Sequence, residues 1–148
     1  MNLTLIFQIA DRDYGLEIEA VQEIIEDPER YPVPRSGPCL CGAINVHGEV
    51  LPVIDLPALM GEPPAKHDAR VVVLSPEYRH AALLVNKVER IVFLDFAQKR
   101  VDAEAGSDPF CREVVGRAEG TPVRLLELKM VYSQLEQLFN DNGGTLCP

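Results

Sequence analysis

Four cysteines, three histidines and a pair of carboxylates at matching places in a repeat are the side chains of this 148-residue chain that could do chemistry. Cys39 and Cys41 form a C-x-C, whereas Cys111 and Cys147 stand alone. No second pair completes a zinc-type spacing, and no histidine lies at ligand distance in sequence. A redox pair is usually C-x-x-C at a helix start, but Cys39 follows Pro38 in a proline-rich loop. The thiols therefore read as structural, and a thiol- or metal-dependent enzyme built on Cys39 and Cys41 is the alternative. His47, His67 and His80 belong to no motif that joins a base to a nucleophile, and G-x-S-x-G, a Walker loop and H-E-x-x-H are all absent. His67 and His80 read as solvated residues of a linker and a turn. Asp55 and Glu127 have the look of a glycosidase pair, but each sits between a strand pattern and a helical turn, where a carboxylate caps the turn. The expectation is a protein with no catalytic residue, no metal and no cofactor.

Composition points the same way. Apolar residues make up 47% of the chain and charged residues 25%, which is enough apolar material for a packed core and excludes the disordered class. A net charge of −9 with scattered basic residues excludes a nucleic-acid or anionic-membrane surface, since phosphate binding needs clustered Lys and Arg. No apolar run approaches the roughly 18 to 20 residues that span a bilayer. Met1-Asn2-Leu3-Thr4 lacks the basic start of a signal peptide. A cytoplasmic location is expected.

The periodicity is mostly that of strands. Leu3, Leu5, Phe7 and Ile9 alternate with their neighbours, Asp11-Arg12-Asp13 supplies a turn, and Tyr14, Leu16 and Ile18 alternate again, which predicts a hairpin. Val21, Ile24 and Ile25 fit a short helical turn or a bent strand. Prolines 28, 32, 34 and 38 stiffen the next loop, and residues 43–46 and 50–56 flank a tight His47-Gly48 turn. Beyond the 61–68 linker, Val71-Val72-Val73-Leu74 is an apolar run fit for a strand buried on both faces. Strands at 81–85, 88–94, 113–118 and 123–128 follow, and Val131, Leu135, Leu138 and Phe139 mark one face of a final helix.

A repeat turns these strands into an architecture. Residues 3–25 lie over residues 70–92 at a constant offset of 67, matching Leu16 to Leu83, Ile18 to Val85, Val21 to Val88 and Ile24 to Ile91. Gly48-x4-Val53-Ile54-Asp55-Leu56 lies over Gly120-x4-Leu125-Leu126-Glu127-Leu128 at an offset of 72. Each half reads hairpin, bent V-x-x-I segment, loop, turn and strand. The chain is expected to be all-β with short helices, in two small lobes of about five strands packed on each other. The lobes are placed at about 12–66 and 67–139, strand 3–10 being able to complete the second, within one domain of 1–140 followed by a flexible tail at 141–148.

The same residues carry a resemblance. Phe7-x-Ile9, Asp13-Tyr14-Gly15-Leu16-x-Ile18, Val21-Gln22-Glu23-Ile24, Pro32-x-Pro34, the run from Gly42 to Leu56 and Leu83-Leu84-Val85-x-x-Val88 resemble the CheW family of bacterial chemotaxis coupling proteins, over about residues 3–139. The resemblance implies two SH3-like β-barrels and a non-catalytic adaptor that couples the cytoplasmic tips of methyl-accepting chemoreceptors to a CheA-type histidine kinase. It implies no cofactor. The family's receptor-facing positions fall on Val21, Glu23, Ile24, Gly42, Asn45, His47 and Gly48. Two departures bear on function: the family motif usually reads Asn-x-Arg-Gly where this chain has Asn45-Val46-His47-Gly48, and an Asp is usual where Asn86 stands. An imidazole beside Glu23 in place of a permanent guanidinium is expected to make receptor affinity depend on pH.

Overall fold

The computed structural model describes residues 2–26, 28–32, 39–65, 69–100, 105–117 and 120–141. Pro34, Pro38, His67, Cys147 and the expected tail beyond residue 141 lie outside them. The strands are β1 (Asn2–Ile9), β2 (Arg12–Glu17), β3 (Val21–Glu26), β4 (Leu40–Val46), β5 (Glu49–Asp55), β6 (Arg70–Leu74), β7 (Ala82–Val85), β8 (Lys87–Leu94), β9 (Lys99–Arg100), β10 (Cys111–Val115) and β11 (Val123–Leu126). The α-helices are α1 (Leu56–Leu59) and α2 (Leu128–Asp141). The segment from Val21 is the bent strand, entered through a single 3-10 turn at Ile18–Ala20.

Pairing reproduces the repeat to the residue. One sheet runs β8-β1-β2-β11-β10-β9 and the other β3-β6-β7-β5-β4. Exchanging each strand for its repeat equivalent turns the first five strands of one order into the other. Leu5 pairs with Leu16 and Ile91, and Val72, 67 residues on, pairs with Leu83 and Ile24. Even the bulge recurs, with Glu89 opposite the Ile6/Phe7 step and Gln22 opposite the Val73/Leu74 step each left without a partner in the ladder. The halves are nonetheless interleaved. The β1-β2 hairpin lies between β8 and β11, and the β6-β7 hairpin lies between β3 and β5. Sheet membership therefore changes near residues 18–20 and 86 and does not follow a division at 66/67, because pairing partners and not the linker decide it. The N-terminal strand does join the second half's strands, and β2 goes with it.

Each sheet also curls. The chain leaving β3 reaches the opposite edge, where Tyr31 and Ala43 of β4 exchange both backbone hydrogen bonds at 2.8 Å. In the other sheet the chain leaving β8 forms β9, which pairs with β10 through Arg100 and Val114. One continuous segment thus touches both edges, the arrangement that rolls a five-stranded sheet into a small barrel. Gly42 makes the first closure possible. It sits at the β4 bulge with φ +123°, and a Cβ there would stand 2.6 Å from the Tyr31 carbonyl oxygen.

Because a strand's side chains alternate, the curled sheets hold three apolar layers. Ile44, Val46, Leu51, Val53, Val71, Val73, Ala82 and Leu84 fill the inside of one sheet. Ile6, Leu94, Val115, Val123 and Leu125 fill the inside of the other. Leu5, Phe7, Ile9, Leu16, Ile54, Val72, Leu74, Leu83, Val85 and Leu126 point the other way and meet in a central layer between the sheets. The run Val71 to Leu74 is apolar throughout because it supplies both an inner and the central layer.

The helices close the ends of this stack. Asp55 caps α1 by accepting from the Ala58 N–H at 3.1 Å, and it also accepts from the Ala65 N–H at 3.3 Å. In α2, Val131 and Leu135 are buried in the central layer. Tyr132 donates to the carbonyls of Tyr78 and Arg79 under the Arg79 guanidinium, and burial pushes its phenol up to about 12 against that guanidinium.

Two consequences can be measured. Gly42→Ala combines a positive φ with a backbone clash and is expected to lower stability by about 2 kcal/mol or more; an unchanged urea midpoint would show that the Tyr31–Ala43 closure tolerates a Cβ. Burial raises the Asp55 carboxyl above its ordinary value although two N–H groups favour its charged form. A raised folded-state pKa means that the stabilisation is complete below the unfolded value and is lost as pH rises through the folded one. Asp55→Asn keeps an acceptor for the cap and cannot ionise. Its urea midpoint should therefore gain on the wild type as pH rises from about 3.5 to 7, and parallel profiles would rule this out.

Candidate functional site

The residues with expected roles fall at one end of the five-stranded sheet and along its edge. Val46 and Glu49 close a two-residue turn in which His47 (φ +51°) and Gly48 (φ +87°) both have positive φ. That is the hairpin connection whose twist matches its strands. Asn45 fastens it by accepting from the Gly48 N–H at 3.0 Å. Nothing lies within 4 Å of a Cβ built on Gly48, so the turn is bare on that side.

Two imidazole–carboxylate contacts hold the turn to its neighbours. His47 Nε2 lies 2.8 Å from Glu23 Oε1 of β3, and the His47 side chain is 76% exposed. Glu49 Oε2 lies 2.8 Å from His80 Nδ1 at the entry to β7. His80 is thus a largely covered bracing residue, where the sequence suggested a solvated one. The contact joins the start of β5 to the entry of β7, and no motif signalled it.

The seven expected residues separate by strand alternation. Glu23, Asn45, His47 and Gly48 meet at the turn. Ile24 points to the opposite face of β3, level with Val72 of the central layer, and is 37% exposed. Val21 packs against the central layer itself. Gly42 is buried in the bulge and shapes the hairpin without presenting a surface.

The structure adds residues that the sequence reading passed over. Val50, opposite Asn45 in the β4-β5 ladder, is 70% exposed. Ile91, the repeat equivalent of Ile24, is exposed on β8 with Phe93, and Leu3 faces Phe93 across the ladder. Ile24 on the edge strand β3, and Ile91 and Phe93 on the edge strand β8 with Leu3 of β1 opposite Phe93, are thus exposed apolar residues at the edges of the two sheets. An apolar side chain at high exposure is a signal only once neighbouring strands are known.

The alternative chemistry finds no support in the geometry. Cys39 is buried in the central layer, and the Cys41 thiol donates to the Val53 carbonyl at 3.5 Å. Burial pushes the Cys41 thiol up, away from the thiolate form a nucleophile or metal ligand needs. Among the described residues no three His, Cys, Asp or Glu side chains gather as a metal site, and no helix is long and apolar enough to cross a membrane. Asp55 acts as the cap expected of it, and Glu127 accepts from the Lys129 N–H at the start of α2 at 3.4 Å.

Comparison with known proteins agrees with this architecture. The sequence pattern of the CheW-like domain fits residues 3–136. A probable chemotaxis protein CheW of Rhizobium etli is 31% identical over 135 residues, covering 88% of this chain and 86% of its own. The chemotaxis protein CheW of Rhizobium meliloti is 30% identical over 138 residues, covering 88% and 87%. The scaffolding protein TtCheW of Thermoanaerobacter tengcongensis superposes with a TM-score of 0.77 over 88% of this chain and 92% of its own, at 22% identity, and so shares the fold. The chain belongs to the CheW-like domain family, and with it to the non-catalytic scaffolds of chemotaxis and not to the enzymes.

Proposed function

We propose that this protein is a cytoplasmic adaptor that couples the tips of methyl-accepting chemoreceptors to a CheA-type histidine kinase, with the receptor at the His47-Gly48 turn and the adjoining edge of β3. The observation that carries this reading is the 2.8 Å contact between His47 and Glu23. It ties two segments far apart in sequence into one polar corner, beside the exposed Val50 and with Ile24 exposed on the opposite face of β3. A receptor tip is helical, and a helix laid along the free edge of β3 meets both faces of that strand, with an apolar strip to bury and a polar turn to set its register. The bare side of Gly48 lets it approach closely.

The receptor contact is tested by titration calorimetry against a receptor-tip fragment. Gly48→Val meets no neighbour inside the protein. It strains a positive-φ turn and fills the approach path, at a cost on the order of 1 to 3 kcal/mol in binding or local stability. His47→Arg puts a permanent guanidinium beside Glu23 in place of the imidazole, so affinity should rise severalfold. Equal affinities for the two proteins would leave His47 without a role in coupling. The kinase contact should be largely apolar, and should survive moderate salt and both turn substitutions. Loss of kinase binding in the turn variants would place both partners on one surface.

A further inference from the structure

The repeat is filled differently at its two ends. Over the end of β5, α1 stops after four residues and the chain turns back. The Ala65 N–H then donates to Asp55, and Ala65 packs against the cluster that contains Val53 and Leu84, with Pro63 and Pro64 leading into it. Over the end of β11, the helix that takes the place of α1 continues for 14 residues. The position corresponding to Ala65 is then one more turn of α2, and no segment among the described residues folds back.

What is left there is a cleft of about 230 Å³, and the repeat identifies its walls. Leu125 stands where Val53 does, Glu127 where Asp55 does, Glu17 where Leu84 does and, by the β10-β11 register, Arg112 where Cys41 does. The floor is apolar, and Glu127 at its edge is the counterpart of the carboxylate that holds the Ala65 amide.

We infer that this cleft, beside Glu127 and the start of α2, is a docking site for an extended proline-containing segment of a partner protein, its small residue seated as Ala65 is seated in the other half behind the exposed Pro63 and Pro64. Proline fixes the extended form before binding, and one main-chain N–H donated to Glu127 sets the depth of a small side chain over Leu125. The inference rests on the fold alone. It stands or falls separately from the receptor and kinase contacts.

The probe is the chain's own segment, a peptide of residues 61–70 blocked at both ends, titrated into the full-length 15N-labelled protein. Saturable shifts at Leu16, Leu126 and Lys129 are expected. A peptide with both prolines changed to glycine should bind more weakly. Glu127→Ala should weaken binding roughly tenfold, and Glu127→Gln, which keeps an acceptor for the peptide and for the Lys129 N–H, should recover part of it. Unchanged resonances away from α2 certify that the variants are folded. The inference is overturned if the peptide gives no saturable shift at about millimolar concentration, if the glycine peptide binds equally well, or if the shifts fall at Asp55, Ala58 and Ala65 instead.

Discussion

The central apolar layer is the feature on which everything else depends. Each sheet rolls round its own small core, and cores of this size cannot carry the entropy of ordering five strands. Phe7, Leu16, Leu74 and Leu83 are fully or almost fully buried between the sheets. A side chain of that kind contributes about 1.5 to 3 kcal/mol on burial. Both sheets must be present before that gain is realised. The exchanged hairpins make the dependence stricter, since β1 and β2 have no sheet to join until β8 and β11 exist, and β6 and β7 none until β3 and β5 do. The two sheets are thus one cooperative unit: no strand pairs across them, and the shared apolar layer with the short crossovers at residues 18–20 and 86 holds them together. That rigidity suits a scaffold, which must hold partner surfaces at set positions.

Polar side chains are distributed unevenly over this symmetric frame. In the six-stranded sheet, Arg117 joins Asp13 at 2.8 Å and Glu89 at 3.1 Å, and Asp108 accepts from both Tyr14 and Arg124. Burial, and then Asp108, push the Tyr14 phenol well up, so it stays a neutral donor. The same place in the other sheet is lighter: His80 stands where Asp13 does and Glu49 where Thr121 does, and they face each other across 2.8 Å. A buried, multiply bonded cluster braces one hairpin, and two imidazole–carboxylate contacts, one exposed at His47 and one with its imidazole largely covered at His80, brace the other. Paired buried charges resist removal far more than exposed ones do. The turn at His47-Gly48 is therefore the more adjustable end of the molecule.

Much of this was legible in the sequence, and the reason is that strands leave two kinds of trace. Alternation showed the hairpins, and the offset of 67 showed the repeat, because pairing register and apolar spacing are the same constraint written twice. The double-sided burial of Val71 to Leu74 was readable for the same cause. The exchange of hairpins was legible only in part: strand 3–10 could be seen as able to complete the second lobe, but residues from 12 on were placed in the first, and only the competition between possible sheets takes β2 along with β1. β9 is two residues long and left no period to detect. His80 and Val50 were missed because one is defined by a neighbour across a parallel ladder and the other by the absence of one.

The turn illustrates how local chemistry becomes a surface. A two-residue connection with both φ values positive asks for Asn or Gly, and histidine is among the side chains that tolerate the first position. Once there, its ring stays largely exposed and lies 2.8 Å from the Glu23 carboxylate. Glu23 can reach it only because the Gln22 bulge shifts β3 by one residue and sets Glu23 opposite Val73. Without the bulge the alternation would reverse, turning Glu23 to the central layer and Ile24 to the inside of the sheet. The bulge is thus what sets a charge at the turn and an apolar residue on the opposite face of β3. Its counterpart at Glu89 does the same for Ile91, and so the two edge strands present matching exposed apolar residues.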